Sequence, residues 1–244
     1  MKKSFYLFGC LLFVLSSLNA GTMKTDTYQT SHGALKVTLL GHASVRFEYA
    51  GKVIFVDPYS QITDFSVQPK ADLILLTHEH PDHLDALAIN QIKKSDTKFV
   101  VSQSCRDQLG YGEVMKNGSR QEIFGISIEA VPAYNLLHKR PEGDFFHPKG
   151  RGNGYVLTFG GMRVYVAGDT ENIPEMSYLK DIKIAFLPKN LPYTMDDVMF
   201  LDAVGKVKPK FLYPYHFSEF DQEKLVPLIQ KLGTEVILRP MKNK

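Results

Sequence analysis

Short apolar runs alternate with polar turns along most of the chain, which predicts a protein built largely from short strands. The first runs are separated by Gly41-His42 and Ala50-Gly51, as in consecutive hairpin strands. Strands are expected at residues 35–40, 43–49, 52–57, 73–76, 98–103, 122–130, 155–159, 162–167, 183–187, 211–215 and 235–238. Helical spacing of apolar positions occurs at residues 84–94, with Asp82 at the N-cap position, and at residues 221–232.

The first 20 residues have the three parts of a secretory signal peptide. Two lysines precede an apolar run at residues 5–15, and small and polar residues follow it, so cleavage is expected near Ala20. Two alternatives are a membrane anchor, for which the run falls short of roughly 20 residues, and lipidation at Cys10. The protein is therefore expected to be exported, periplasmic or secreted, with no transmembrane anchor after processing.

Residues 21–244 contain no Ser/Gly-rich spacer, so one compact domain is expected. The formal net charge of +3 becomes +1 without Lys2 and Lys3, because the signal contains no acidic residue. This balance gives no electrostatic reason to expect a nucleic-acid partner. Cys105 is the single cysteine beyond the signal, which excludes an internal disulfide and a zinc site built from cysteines.

A segment dense in histidines and acids follows the apolar strand expected at residues 73–76. It reads Thr77-His-Glu-His-Pro-Asp-His-Leu-Asp85. Residues two apart in an extended chain point the same way, so His78 and His80 are able to close on one metal ion. The proline turn redirects Asp82 and His83 toward a second position, so one loop is expected to serve two metals. The alternative is a solvated, histidine-rich turn.

This segment resembles the signature loop of the metallo-β-lactamase superfamily of binuclear metallohydrolases. Most of residues 35–216 is similar to small members related to ascorbate-6-phosphate lactonase and N-acyl-phosphatidylethanolamine phospholipase D. The resemblance implies an α/β (α+β) fold, a four-layer αββα sandwich with the metals at one edge between the two sheets. It also implies that residues 21–244 form one hydrolase domain.

The resemblance implies roles for four residues outside the loop. In similar proteins an aspartate at the position of Asp57 orients a metal-bound histidine, although a simple turn aspartate is the alternative. His42, in a Gly-His-Ala-Ser segment, is expected to face the same cavity. Asp169 is implied to be a carboxylate shared by both metals, and His216 to be the last ligand of the second metal.

The third histidine of the first metal is absent from its usual place. Tyr134 and Asn135 stand there, which leaves His138 and His147 as candidates. The chain resembles a branch in which an Ala-Tyr-Asn segment is followed by a His-Pro-Lys loop, so His147 is predicted to be the ligand. The alternative is that His147 is only a turn residue. His138, beside two cationic residues, is expected to be exposed, and Asn135 to line the pocket or contact a ligand.

The predicted ligands form two sets that share one carboxylate. The first set is His78, His80, His147 and Asp169, and the second is Asp82, His83, His216 and Asp169. All donors are nitrogen or oxygen, so two divalent ions are expected; zinc fits best, and manganese or iron also suits these donors. A water bridging the ions is largely hydroxide near neutral pH. Asp82 is expected to orient it.

These features predict an exported hydrolase that cleaves an ester, lactone or phosphodiester bond of a small molecule or a lipid-like substrate. The resemblance adds β-lactams as a further substrate of the superfamily. The alternative is a metal-binding protein that retains the ligand cage without turnover. The departures from the family pattern at Tyr134, Asn135 and residues 189–191 suggest it. A nuclease is disfavoured by export, by the near-neutral charge and by the lack of room for a nucleic-acid-binding domain.

Overall fold

The computed structural model of the protein describes residues 23–241. Its strands form two seven-stranded sheets, and in each sheet neighbouring strands follow one another along the chain. The first sheet contains β1 (Thr25–Thr30), β2 (Gly33–Gly41), β3 (Ser44–Tyr49), β4 (Lys52–Val56), β5 (Leu73–Leu76), β6 (Lys98–Val101) and β7 (Glu113–Val114). The second contains β8 (Arg120–Ile123), β9 (Ile126–Ala133), β10 (Gly152–Phe159), β11 (Met162–Val166), β12 (Ile182–Pro188), β13 (Phe211–Tyr215) and β14 (Glu235–Val236).

The two sheets repeat one pattern of connections. β1 to β4 pair antiparallel, and β4 to β7 pair parallel. In the same way β8 to β11 pair antiparallel, and β11 to β14 pair parallel. Parallel neighbours require crossover connections, and four α-helices lie in them: α1 (Ala86–Ile92), α2 (Gln103–Leu109), α3 (Asp197–Val207) and α4 (Gln222–Lys231). The carboxyl ends of the parallel strands therefore lie together at one edge of each sheet.

Three groups of buried apolar side chains hold four layers together. Between the sheets, Phe47 and Phe186 pack with ring centroids 5.9 Å apart. On the outer face of the first sheet, Ile74 packs with Ile89 of α1. On the outer face of the second, α3 contributes Phe200. The layers are thus helix, sheet, sheet and helix, which confirms the predicted αββα sandwich.

The first sheet contains an edge strand that the apolar pattern did not predict. The residues of β1 are exposed or half-buried, so this strand lacks the apolar signal of the others. It is held by backbone pairing with β2 and by a 2.6 Å hydrogen bond between the hydroxyls of Tyr28 and Tyr213. The strand expected at residues 122–130 is in fact a hairpin, because a turn at Phe124-Gly125 divides it into β8 and β9.

Helix α1 begins later than its apolar spacing predicted. The side chain of Asp85, not Asp82, caps it by accepting hydrogen bonds from the backbone N–H groups of Leu87 and Ala88. The predicted cap was wrong because two acids stand close together in sequence. Asp82 does not cap the helix, and its side chain instead faces His42 and His216.

Two sequence expectations concern membranes and the thiol. The predicted signal peptide lies outside the described residues; within residues 23–241, no helix is long and apolar enough to cross a membrane. Cys105 is fully buried in α2, as expected for a small apolar residue. Burial raises the pKa of its thiol to about 12, so the thiol is unreactive at neutral pH.

Candidate metal centre

The loops after the parallel strands of both sheets meet at one edge of the sandwich. Asp57 follows β4, the histidine-rich loop follows β5, Asp169 lies three residues after β11, and His216 follows β13. His42, Asp57 and His216 adopt left-handed φ angles of 49°, 45° and 48°. Such angles are uncommon for residues other than glycine and concentrate at functional sites. Buried strands therefore present these side chains from strained backbone positions.

Gly168 allows Asp169 to enter the centre. Its φ is 66°, and a Cβ atom added there would lie 2.9 Å from the Asn153 carbonyl oxygen and 3.2 Å from Cβ of Thr77. The first distance is shorter than real Cβ contacts, so any other residue would displace the backbone of the neighbouring strand β10. The glycine before Asp169 thus brings its carboxylate close to the histidine-rich loop.

Three imidazoles converge where the first metal is predicted. Nε2 of His78 lies 3.1 Å from Nδ1 of His80, and Nε2 of His147 lies 3.2 Å from the same atom. An oxygen of Asp169 lies 3.4 Å from Nε2 of His147. Three ring nitrogens therefore face one point, a geometry suited to one cation.

The residues predicted for the second metal surround an adjacent point. Oδ2 of Asp82 lies 3.8 Å from Nε2 of His83 and 3.4 Å from Nε2 of His216. Asp169 faces both groups: Oδ1 lies 3.4 Å from Nε2 of His83, and Oδ2 lies 3.4 Å from Nε2 of both His147 and His216. The Asp169 carboxylate thus lies between the two groups, where a shared ligand has to be.

Three buried atoms that face this centre have no hydrogen-bond partner within the described part of the chain. They are Nε2 of His83, Nε2 of His216 and Oδ1 of Asp169. Buried polar atoms are seldom left unpaired in native proteins, so each requires an explanation. Divalent cations would satisfy all three. The residues present therefore fit a metal centre, and their nitrogen and oxygen donors suit zinc.

Burial and the nearby carboxylates together set the protonation of the imidazoles. It lowers the pKa of His147 to about 4 and, together with the neighbouring imidazole of His83, holds the pKa of His78 well below its usual value. For His83 itself, burial lowers the pKa, but three carboxylates, above all that of Asp169, outweigh it and raise the pKa well above its usual value. His147 and His78 are thus neutral and ready to bind metal, whereas His83 must first lose a proton.

Asp57 lies beneath the loop and makes the contacts expected of an orienting aspartate. Its Oδ2 accepts hydrogen bonds from Nδ1 of His83 at 2.8 Å and from the Thr77 hydroxyl at 2.6 Å. Its Oδ1 accepts from the Thr77 backbone N–H at 2.8 Å. Since Nδ1 of His83 keeps its proton to donate to this carboxylate, the proton lost on metal binding is that of Nε2, whose lone pair then faces the metal position.

Asn135 does not point at the centre but holds His147. Its Oδ1 accepts from the backbone N–H of His147 at 2.7 Å and lies 2.9 Å from Nδ1 of the same residue. Its Nδ2 donates to Glu171 at 3.0 Å and to the Tyr193 carbonyl at 2.9 Å, which fixes the orientation of the amide. Nδ1 of His147 is therefore the protonated nitrogen, and Nε2 is available to a metal.

Glu171 is a residue of the site that the sequence did not indicate. Its buried carboxylate accepts hydrogen bonds from the backbone N–H groups of Leu136, Leu137 and His138 at 2.6 to 2.8 Å. Burial raises its pKa, but these bonds and that of Asn135 outweigh it and lower the pKa. The one feature of the sequence that could have indicated Glu171 is its position two residues after Asp169.

His138 also belongs to this network. Nδ1 of His138 lies 2.8 Å from Oε1 of Glu171, and the side chain is 22% exposed. The expectation that His138 is exposed is therefore wrong: the buried carboxylate draws the ring inward. The ring is thereby held at Glu171 and joins neither ligand set.

His42 lies against the second metal position. Its Nε2 is 2.8 Å from Oδ2 of Asp82, and its ring centroid is 3.9 Å from that of His216. Burial raises the pKa of Asp82, but the charge of His83 and the bonds with His216 and His42 outweigh it and hold the pKa well below its usual range. Asp82 is thus ionised, and its side chain is 32% exposed.

A cavity of about 650 Å³ lies over the centre. Asp82, Asp169 and four histidines, among them His42, form its floor, and the remaining lining residues combine apolar, aromatic and uncharged polar side chains with one cation. These remaining residues are Tyr59, Pro81, Arg140, Phe146, Asn190, Leu191, Pro192, Tyr193 and Ser218. The volume is sufficient for a small organic substrate.

Replacement of Asn135 by alanine is expected to weaken metal binding at the first position and lower turnover by roughly 10- to 100-fold, because His147 loses the bond that sets its tautomer. Metal titration followed by calorimetry would measure this. The matched control is Asn172→Ala, whose side chain bonds the surface residue Asp202. Equal affinities in the two variants would contradict the role given to Asn135.

Comparison with known proteins agrees with this geometry. The family model for the beta-lactamase superfamily domain matches residues 36–216. A metal-dependent hydrolase from Thermococcus onnurineus is 31% identical over 226 residues, which is 84% of this chain and 97% of the relative. One from Thermococcus kodakarensis is 32% identical over 228 residues, with the same coverage.

Solved structures give the same result. A candidate metal-dependent hydrolase from Parabacteroides distasonis superposes with a TM-score of 0.85 and 44% identity, covering 90% of this chain and 100% of that one. A metallo hydrolase from Ignicoccus hospitalis superposes with a TM-score of 0.69 and 25% identity, covering 86% and 96%. The chain therefore belongs to the metallo-β-lactamase superfamily, among its metal-dependent hydrolases, as the histidine-rich loop after β5 predicts.

Proposed function

We propose that the protein is a binuclear hydrolase that cleaves an ester, lactone or phosphodiester bond of a small-molecule or lipid-like substrate. One observation carries the proposal: the Asp169 carboxylate lies between two groups of donors, and three buried donor atoms there lack hydrogen-bond partners among residues 23–241. A shared carboxylate is the arrangement expected for two cations that act together on one bond. Zinc is the metal that these donors suit best.

The side chains of this chain would position the reactants. Divalent cations held by His78, His80 and His147, by Asp82, His83 and His216, and by the shared Asp169 would supply Lewis acidity, which would polarise the scissile bond and lower the pKa of water. The ionised Asp82 is able to accept a hydrogen bond from the attacking water and so aim its lone pair at the substrate. The contact with His42 holds the Asp82 carboxylate in place. No protein nucleophile is required.

The alternative, a metal-binding protein without turnover, is less well supported. A storage site has no need for an open cavity above its ligands, whereas this centre lies at the floor of one. The departure from the family pattern at residues 189–191 does not remove that space. Lys189 is turned aside to pair with Asp197 at 2.8 Å, while Asn190 and Leu191 line the cavity.

A small substrate screen tests the proposal. Metal-depleted and zinc-loaded protein would be compared on 4-nitrophenyl valerate, γ-butyrolactone and bis(4-nitrophenyl) phosphate. We expect turnover of at least one of them that chelation abolishes and added zinc restores. Metal binding with no metal-dependent turnover of any of the three would favour the metal-binding alternative.

We further propose that the protein is exported and that its first 20 residues are removed. The charged, apolar and small-residue succession at residues 1–20 supports this. Mass spectrometry of the protein recovered from its native host should show a chain beginning near residue 21. An intact amino terminus, or a lipid on Cys10, would contradict soluble export.

A further inference from the structure

The cavity over the metal centre contains one cation that the hydrolytic chemistry does not use. Arg140 is the single lysine or arginine among the cavity's lining residues in the described part of the chain. An Nη atom of its guanidinium lies 3.2 Å from Nε2 of His80, and its Cζ lies 5.1 Å from the ring centroid of Phe146. Within residues 23–241, no carboxylate forms an ion pair with it.

A tight turn orders the backbone that carries this guanidinium. The backbone N–H of Arg140 donates to the carbonyl of Asp144 at 2.7 Å, and its carbonyl accepts from the N–H of Gly143 at 2.9 Å. Lys139 and Phe145 pair across the same turn as an antiparallel bridge. The guanidinium thus stands on an ordered loop at the cavity and not at the end of a free chain segment.

The guanidinium lies beside the reaction centre and not at it. Nδ1 of His80 faces the first metal position, where it approaches His78 and His147. Nε2 of His80, which contacts Arg140, is on the far side of the same ring. One imidazole therefore separates the cation from the metal position. Arg140 is placed to contact a group next to the bond that is cleaved.

We propose that Arg140 binds an anionic group, a carboxylate or a phosphate, that the substrate carries beside its scissile bond; this inference rests on the proposed hydrolase function. A planar guanidinium binds either anion through paired hydrogen bonds. Arg140 has a ring nitrogen of His80 beside one Nη and no carboxylate partner within residues 23–241, so most of that capacity is free. Leu191 and Tyr193, which are 52% and 45% exposed, line the same cavity and offer apolar surface to the rest of the substrate. The substrate class is an anionic ester or lactone with an apolar part.

Three esters with the same leaving group test this inference on the zinc-loaded full chain. They are 4-nitrophenyl valerate, mono-4-nitrophenyl glutarate and 4-nitrophenyl 4-phosphonobutanoate, whose acyl chains end in a methyl, a carboxylate and a phosphonate. We expect the protein to prefer one charged ester over the neutral one by about tenfold or more in kcat/KM. Which charged ester is preferred tells carboxylate from phosphate recognition.

Arg140→Met should reduce that preference to about one, and Arg140→Lys should restore part of it. The matched control is Lys139→Met, which removes one positive charge from the same loop at a side chain that lies over Phe145 and outside the cavity. Its preference should equal that of the unmodified protein. Equal loss in both variants would show a general charge effect and overturn the proposal, as would an unchanged preference in Arg140→Met.

Two further measurements keep this test separate from that of the hydrolase function. If none of the three esters is turned over, binding of glutarate and of propylphosphonate to the zinc-loaded protein is measured by calorimetry. Weaker binding in Arg140→Met than in Lys139→Met would support the anion site without any catalysis, and equal binding would overturn it. Metal content is also measured in each variant. If Arg140→Met alone loses metal while its preference for the charged ester is unchanged, Arg140 only positions His80, and the proposal is overturned.

Discussion

Replacement of Asp169 by alanine is expected to empty both metal positions and to abolish metal-dependent hydrolysis. Its carboxylate lies 3.4 Å from Nε2 atoms of His83, His147 and His216, so one substitution removes a donor from each ligand group. It also removes the anion between two cations, which would then repel each other without compensation. The loss of turnover should exceed the roughly 10- to 100-fold typical of residues that only contact a ligand.

Elemental analysis of the purified variant measures this result. Asp144→Ala is the matched control, since Asp144 is exposed on the loop beside the cavity and only its backbone carbonyl makes a hydrogen bond in the structure. Circular dichroism shows whether each variant is folded. Full metal content in a folded Asp169→Ala protein would rule out a shared carboxylate at this position.

The second large effect is expected at His147. His147→Ala should cost metal at the first position and most of the turnover, because His78 and His80 alone would leave a two-histidine site open to water. His138→Ala is the natural control, since both histidines lie in the loop between β9 and β10. His138 bonds Glu171, which retains three backbone donors in that variant, so metal content should remain unchanged.

Opposite results in this pair would revise the ligand set. Metal loss in His138→Ala but not in His147→Ala would mean that the loop changes conformation when metal binds, so that His138 and not His147 is the ligand. Metal titrations of both variants, run side by side, distinguish this from simple unfolding, because unfolding would remove both sites at once. The test therefore decides which histidine stands in for the ligand missing at Tyr134 and Asn135.

Spacing along the chain was sufficient to predict those residues of the candidate metal centre that are near neighbours in sequence. His78, His80, Asp82 and His83 fall within six positions, so the end of one buried strand brings them together whatever the rest of the fold does. Their number and alternation were also specific enough to indicate the family. From it followed the αββα sandwich and the expected contributions of Asp57, Asp169 and His216.

The contacts that support the ligands were beyond the reach of such reasoning. Glu171 holds the loop through backbone amides about 35 residues earlier, and nothing in its neighbourhood marks it as different from an ordinary acid. Asn135 was recognised as a departure from the family pattern, yet its bond to His147 requires the chain to fold back on a residue twelve positions later. Such contacts depend on loop conformation, which apolar spacing does not specify.

The sequence by itself determined the strand-rich architecture, the metal-binding chemistry and the family, because burial patterns and donor spacing are local properties of the chain. Only the tertiary structure decided that His147 faces the centre while His138 turns to Glu171, and that Asp85 and not Asp82 caps α1. It also decided that Arg140 stands at the cavity with no carboxylate partner in the described part of the chain. Each of these depends on atoms brought together from distant segments or on which way one side chain turns. Packing of the two sheets and their loops fixes these side-chain orientations, and the spacing of apolar residues along the chain does not specify them.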